Sequence, residues 1–217
     1  MEDNIELIVT SIKELTKKRR LVYINYEPAF AVYTAELRKF GIKENEAVSK
    51  ETFDTLVDEV LLKRATIRAM ALLKNKDYTR KGLEDKLKER YYPDRCIEHA
   101  LEYVSRFGYI NDERFAENYV NFKAGNKPRR QIELKLKQKG VDSDIIRRIC
   151  DEFYDDNSDI ELEQAKTFVE KKHINLETVD YKEIQKVKAA LFRKGFSMDI
   201  INKALDSKGL FLDIIDN

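Results

Sequence analysis

The chain has no tryptophan, two cysteines, three prolines and seven glycines among 217 residues, and each scarcity removes a class of explanation. Cys96 and Cys150 are too few and too far apart for a disulfide framework or a zinc site, so both read as small core residues. No apolar run approaches the length of a membrane span, and Met1 is not followed by a basic and then apolar signal region. A cytoplasmic protein without membrane contact is the expectation. A phosphate-cradling glycine loop, an H-E-x-x-H pair and a nucleophile elbow are all missing. His99 and His173 are isolated, and no pair stands out among the many carboxylates. The sequence therefore predicts no catalytic residue, no metal and no cofactor.

What the chain does have is charge. Lys and Arg number 41 against 40 Asp and Glu, for a net charge of +1, and charged residues make up 37% of the chain beside 42% hydrophobic. That mixture fits extensive solvated helix surface around a real core, in one or two domains or a short array of repeats. The near-zero balance hides segregation into blocks of one sign, and local fields steer partners more than the total does.

Residues 1–58 read differently from the rest. Ile5 to Leu15 and Leu21 to Tyr26 are rich in β-branched and aromatic residues and flank a basic corner, Lys17-Lys18-Arg19-Arg20, which predicts a hairpin, with a third short strand at Phe30 to Tyr33 after Pro28. Any sheet is expected within the first 35 or so residues. Thr34 is placed to cap a short helix that stops at Gly41, and Ser49 to cap another that either runs unbroken to Leu73 or bends near Asp58.

From there the sequence repeats itself weakly, at a period of about 50 residues. Leu83-x-x-x-Leu87 aligns with Ile132-x-x-x-Leu136 and Val187-x-x-x-Leu191, Tyr91 with Gly140 and Gly195, Cys96-Ile97 with Ile145-Ile146 and Ile200-Ile201, and Leu101 with Cys150 and Leu205. Upstream, Ala69 matches Ala116 and Ala165. Each unit thus holds three helices. Middle helices start at Thr79, at Pro128 in the first helical position, and at Asp180 with Glu183; third helices start near Pro93, Asp142 and Ser197. Gly41, Gly108, Gly140, Gly195 and Gly209 each follow an apolar-periodic run, where helix ends favour glycine. Ile132 to Lys137 alternates like a strand, but its counterparts do not, so all three are read as helical. Asp151 to Glu163 carries seven carboxylates and no basic residue, and reads as a solvated separator of the second and third units. The expected segments are 1–58 (hairpin and short helices), 59–110, 111–158 and 159–217 (one three-helix repeat each).

The basic residues gather on the middle helices. The second repeat offers Lys127, Arg129, Arg130, Lys135 and Lys137, the first Arg80, Lys81 and Lys86, and the third Lys186, Lys188, Arg193 and Lys194. If the units stack alike, these form a discontinuous basic stripe for a polyanionic or acidic partner; the competing reading is an ordinary solvated face. The third helices mix signs, which suits entry into a phosphate-lined DNA groove poorly. Tyr91, Tyr92 and Tyr109 could stack on single-stranded bases, although aromatics at helical spacing more often belong to a core.

At the junction of the first two units lies Phe107-Gly108-Tyr109-Ile110-Asn111-Asp112-Glu113-Arg114-Phe115-Ala116, where Gly108 closes one helix and Asn111 caps the next, whose apolar face is read as Phe115, Tyr119 and Phe122 with Ala116 and Val120. With Pro128-Arg129-Arg130 and the following Leu136-x-x-x-Gly140-Val141, this resembles the RecX regulatory proteins, over roughly Ala65 to Gly209. The resemblance implies a mainly α fold of three tandem three-helix repeats in an elongated, curved array behind a small N-terminal β-hairpin region. It further implies a monomeric, non-enzymatic regulator of the RecA recombinase in recombination, DNA repair and the SOS response. Such a protein binds the RecA–DNA filament and usually inhibits ATP hydrolysis and strand exchange. Single- or double-stranded DNA is a further candidate partner, and an independent nucleic-acid-binding scaffold the alternative reading.

Overall fold

The computed structural model describes residues 6–172 and 180–206 and divides into two compact units, 1–111 and 112–217. His173 and Gly209, and the expected long linker between His173 and Asp180, fall outside the described residues apart from Asp180 itself.

The first unit opens with strands β1 (Leu7–Glu14), β2 (Arg19–Ile24) and β3 (Glu27–Tyr33), followed by helix α1 (Thr34–Lys39) and a two-residue strand β4 (Ala47–Val48). All pairings are antiparallel, in the order β3-β2-β1-β4. The hairpin expectation holds, but the sheet reaches Val48, beyond the first 35 residues. Two residues are too short a run to carry period-two alternation, and β4 is held by its pairing with Leu7 and Ile8 rather than by its own pattern. Pro28 lies inside β3 rather than ahead of it, which is tolerable on an edge strand. The open backbone on both edges is partly covered: Glu44 Oε1 accepts from Ile12 N at 2.5 Å beside β1, and Tyr91 O accepts from Ala31 N at 3.2 Å beside β3.

Ser49 caps α2 (Lys50–Leu56), accepting from Thr52 N at 3.1 Å. The chain then passes through a π-helical turn, Val57–Leu61, into α3 (Leu62–Leu73), so the helix runs on to Leu73 without a break. Val57, Leu61, Ala65 and Ala69 are buried at four-residue intervals, and the first of these spans the wider π turn, which brings Leu61 back under Val57. Arg95 pairs with Asp58 (2.8 Å) and reaches Asp54 (3.8 Å) beside it. With α4 (Arg80–Lys88) and α5 (Asp94–Arg106), these elements close one continuous core: Val9, Val22 and Phe30 from the sheet meet Leu56, Leu61, Leu87 and Leu101 from the helices.

The second unit holds two three-helix sets. In the first, α6 (Asp112–Lys123), α7 (Arg129–Gln138) and α8 (Ser143–Asp156) close on Ala116, Val120, Ile132, Leu136, Ile146 and Cys150. In the second, α9 (Asp159–Glu170), α10 (Tyr181–Lys194) and α11 (Met198–Asp206) close on Ala165, Ile184, Val187, Leu191, Ile201 and Leu205. Most positions matched by the repeat alignment are buried in all three sets, the exceptions being Tyr91, Gly140 and Gly195 at the helix ends and the half-buried Ile145 and Ile200, and Ile132 to Lys137 is helical.

Several caps are as read: Thr79 Oγ1 accepts from Gly82 N (3.0 Å), an Asp142 carboxylate oxygen from Asp144 N (2.8 Å), Asp180 from Glu183 N (2.7 Å) and Ser197 Oγ from Ile200 N (3.3 Å). Two are displaced by one residue. Pro128 is the cap of α7 rather than its first residue, because its ψ of 150° is still extended. Thr34 is the first residue of α1, and the cap is Tyr33, whose N–H donates to Glu36 Oε2 at 2.7 Å. The face of α6 also differs: Ala116, Val120 and Ala124 fill the core, Phe115 and Tyr119 stack at its margin with centroids 6.3 Å apart, and Phe122 is exposed. The acidic stretch from Asp151 is mostly helical, in α8 and α9, and Tyr154 within it is buried.

Candidate functional site

The three middle helices carry their cations in different electrostatic settings. On α4 every candidate has an acidic neighbour: Arg80 pairs with Glu98 at 2.5 Å, Lys81 with Asp85 at 2.5 Å, and Lys86 with Glu89 at 2.7 Å. Lys88 joins them, and its hydrogen bond to Glu84 holds that carboxyl below the usual carboxylate range. Such exposed pairs add little stability, but they cancel the outward field of the helix.

On α7 the candidates divide. Arg129 turns inward: its Nε donates to Glu133 Oε1 (2.7 Å), its Nη2 to Asp151 Oδ1 (2.5 Å), and its guanidinium lies 5.7 Å from the Tyr154 ring centroid. Its backbone N–H donates to Glu161 Oε1 at 2.9 Å, so α9 supplies a carboxylate to the start of α7. Burial alone would lower the Arg129 pKa, but the hydrogen bonds to Glu133 and Asp151 outweigh it and raise that pKa above its ordinary value. Glu161 is raised by its own burial, against the opposing bond from Arg129 N. Arg129 therefore ties α7, α8 and α9 together. Two signals for this are visible in the sequence: Glu133 four residues after Arg129 on the same helix, and two carboxylates in a stretch that reads as solvated.

Arg130, Lys135 and Lys137 point to solvent and have no acidic partner among the described residues; Lys135 donates to Gln138 Oε1 at 2.8 Å. Lys127 is half-buried at the foot of the helix, also without such a partner among them. On α10, Lys186, Arg193 and Lys194 are exposed and likewise lack an acidic partner among the described residues, while Lys188 is held in an interaction within the chain.

In the second unit the C-terminal end of α10 meets the first turn of α7. Gln131 Nε2 donates to Lys194 O at 2.6 Å, the Arg130 guanidinium lies 5.7 Å from the Phe192 ring centroid, and Lys194 Nζ lies 4.5 Å from that of Phe168. Gly195 sits at this meeting point with φ of 100°, and a Cβ there would approach Gln131 Cγ to 3.3 Å. Two open grooves flank α7: one of about 640 Å³ lined by Lys127, Gln131, Lys171 and Lys194 but also by Asp159 and Glu163, another of about 570 Å³ lined by Leu134 and Ile146 with Arg130, Lys137, Arg147 and Glu133. A surface of this kind can hold carboxylates or phosphates along a length of partner and has apolar patches to bury against it.

The described residues hold no group of three or more His, Cys, Asp or Glu arranged for a metal ion. The Cys96 thiol is pushed up to about 12 and that of Cys150 to about 11, chiefly by burial in the two cores, so neither is a ready nucleophile. His99 faces Thr66 Oγ1 at 3.4 Å. No described helix is long and apolar enough to cross a membrane.

Residues 111–148 match the second three-helix domain of RecX and residues 159–205 its third. Regulatory protein RecX of Caldanaerobacter subterraneus subsp. tengcongensis is 31% identical over 201 residues, covering 92% of this chain and 98% of that protein. Regulatory protein RecX of Clostridium acetobutylicum is 26% identical, covering 94% and 96% respectively. Among solved structures, a crystal structure of regulatory protein RecX superposes with a TM-score of 0.61 over 93% of this chain and 100% of that one, at 21% identity. A crystal structure of RecX from Lactobacillus salivarius gives 0.59 over 69% and 97%, at 25% identity.

Proposed function

The chain belongs to the RecX family of regulatory proteins, and from that premise we propose that it is a non-enzymatic regulator of the RecA recombinase, binding the RecA–DNA filament and restraining its ATP hydrolysis and strand exchange. Recombination and DNA repair in the cytoplasm are the setting this reading implies, with the protein acting as a monomer. The observation that carries it is the contrast between the middle helices: α4 neutralises its own cations, whereas α7 and α10 leave Arg130, Lys135, Lys137, Lys186, Arg193 and Lys194 exposed without an acidic partner among the described residues. Unpaired charge at a surface speeds encounter with an oppositely charged polymer and fixes its register.

The test is RecA-dependent ATP hydrolysis on single-stranded DNA with and without the protein. Wild type should slow hydrolysis, and Arg130→Glu/Lys135→Glu/Lys137→Glu should restore it while circular dichroism stays unchanged, since Glu is nearly as good a helix former as Lys or Arg. Arg129 is left intact because its side chain holds the unit together. Unaltered hydrolysis in the presence of wild type would refute the reading. Inhibition by a folded triple variant at the wild-type level would remove these cations from the binding surface. Direct binding to phosphate would show as a steep fall of affinity with salt, and each cation removed from a phosphate should make that slope shallower by roughly one.

A further inference from the structure

In the described chain, α1, α4, α5, α7 and α10 each end on a residue in the left-handed region: Gly41, Tyr91, Gly108, Gly140 and Gly195, with φ of 64°, 59°, 67°, 80° and 100°. The residue after such an end normally completes the cap by folding an apolar side chain back onto the helix. Ile42, Tyr92, Val141 and Phe196 do so, and all four are buried. At Gly108 the backbone follows the same rule, with Tyr109 N donating to Val104 O at 2.9 Å and Gly108 N to Ser105 O at 2.9 Å. Its side chain does not: Tyr109 is 48% exposed. Its ring lies beside that of Phe107, with centroids 6.1 Å apart and planes 25° from parallel, and Phe107 meets Tyr103 at 4.8 Å. Both of those rings are exposed as well.

Nothing in cap chemistry asks for three solvent-facing rings at one helix end, and their exposure forgoes the burial that the four other ends obtain. Beside Tyr109 lies a notch of about 420 Å³ lined by Met70, Ala71, Leu73 and Lys74, within the size range of small-ligand sites, about 300–1,000 Å³. Lys74 and Arg106 are exposed and have no acidic partner among the described residues; Glu102, one turn before Arg106, is the carboxylate nearest in sequence on α5. Apolar floor, offset π faces and adjacent cations match the chemistry of an unstacked nucleotide: a flat base with an attached phosphate.

We propose that Tyr103, Phe107 and Tyr109 form a stacking ledge for the bases of single-stranded nucleic acid, one base entering the notch on Tyr109 with its phosphate against Lys74. The site belongs to the first unit, whereas the α7 and α10 cations belong to the second, and it does not depend on their role at the filament.

A fluorescein-labelled oligothymidine titrated by anisotropy tests this on the full chain. Wild type should bind naked strand. Phe107→Leu and Tyr109→Leu should each weaken Kd by about five-fold or more, the loss expected for a stacked base, whereas Tyr109→Phe should bind as wild type. Leucine keeps apolar bulk, so a purely structural or hydrophobic role would survive it and a stacking role would not. Photocrosslinking of an oligonucleotide carrying 5-iododeoxyuridine should label the peptide containing Tyr103 to Tyr109. The proposal is overturned if wild type does not bind naked strand, if folded leucine variants bind it unchanged, or if the crosslink lies only on α7 or α10. It is equally overturned if the ring variants lose inhibition of the filament while naked-strand binding persists, an outcome that marks the ledge as a protein-binding surface. The charge-reversal triple variant, assayed in parallel, reports separately on the filament surface.

Discussion

Replacing Arg129 by Ala should unfold the second unit more readily by about 3 kcal/mol, although the residue sits in a run of cations that reads as a binding face. The side chain is 29% exposed, and its two carboxylate partners, Glu133 and Asp151, are 34% and 50% exposed. A hydrogen bond between charged groups contributes about 1.5–3 kcal/mol when well shielded. Because both partners are open to water, each bond is discounted to about 1 kcal/mol. The guanidinium over the Tyr154 ring adds about 0.5–1 kcal/mol. Removing Arg129 also leaves Glu133 and Asp151 facing each other without the cation that separates them. For a chain of this size, 1 kcal/mol corresponds to roughly 2–4 °C in Tm, so Arg129→Ala should melt about 6–12 °C lower. Lys137→Ala, which removes a cation without an acidic partner among the described residues, should stay within about 0.5 kcal/mol of wild type. Urea unfolding followed by circular dichroism at 222 nm measures both. A loss below about 0.5 kcal/mol in Arg129→Ala, or an equal loss in the two variants, would show that the inward network does not hold α7, α8 and α9 together.

Gly140→Val places a β-branched side chain at φ of 80°, and should cost more than about 1 kcal/mol, since even an unbranched residue loses about 1–2 kcal/mol there; an unchanged urea midpoint would refute the helix-end assignment. Glu161 has its pKa raised by burial, so the folded chain holds that proton more tightly than the unfolded one. Its contribution is fully present below the ordinary carboxylate pKa and is lost as pH rises through the raised value. Glu161→Gln keeps an oxygen for Arg129 N–H and should flatten that decline; urea midpoints at intervals from pH 4 to 8 that fall in parallel for both proteins would exclude it.

The repeats are legible in the sequence because each unit solves the same packing problem with the same spacing. Leu83 and Leu87, Ile132 and Leu136, and Val187 and Leu191 all project from a middle helix into a core, and a four-residue interval is enough to recognise them. Alignment carries further than residue identity. Tyr91, matched to Gly140 and Gly195, shares their left-handed backbone at φ of 59° although tyrosine disfavours it, and its carbonyl accepts from Ala31 N on the edge of the sheet. Strand β4 has no comparable signature. Nor does the choice between an unbroken and a bent helix at Asp58, because a π turn changes the period that such a choice is judged by.

The candidate surface is legible as charge and illegible as direction. Periodicity places Arg129 and Arg130 next to each other on α7, but neighbours on a helix are separated by about 100° and face different surroundings. One turns to Glu133, Asp151 and the Tyr154 ring, the other to solvent and Phe192. Glu133 stands four residues on, within a local pattern, but Asp151 lies more than twenty residues downstream, beyond the reach of one. Charge reversal across the whole basic run would therefore mix weakened binding with weakened folding. Sparing Arg129 separates them: what Arg130→Glu, Lys135→Glu and Lys137→Glu remove is outward charge, and any change they cause at constant ellipticity belongs to the partner.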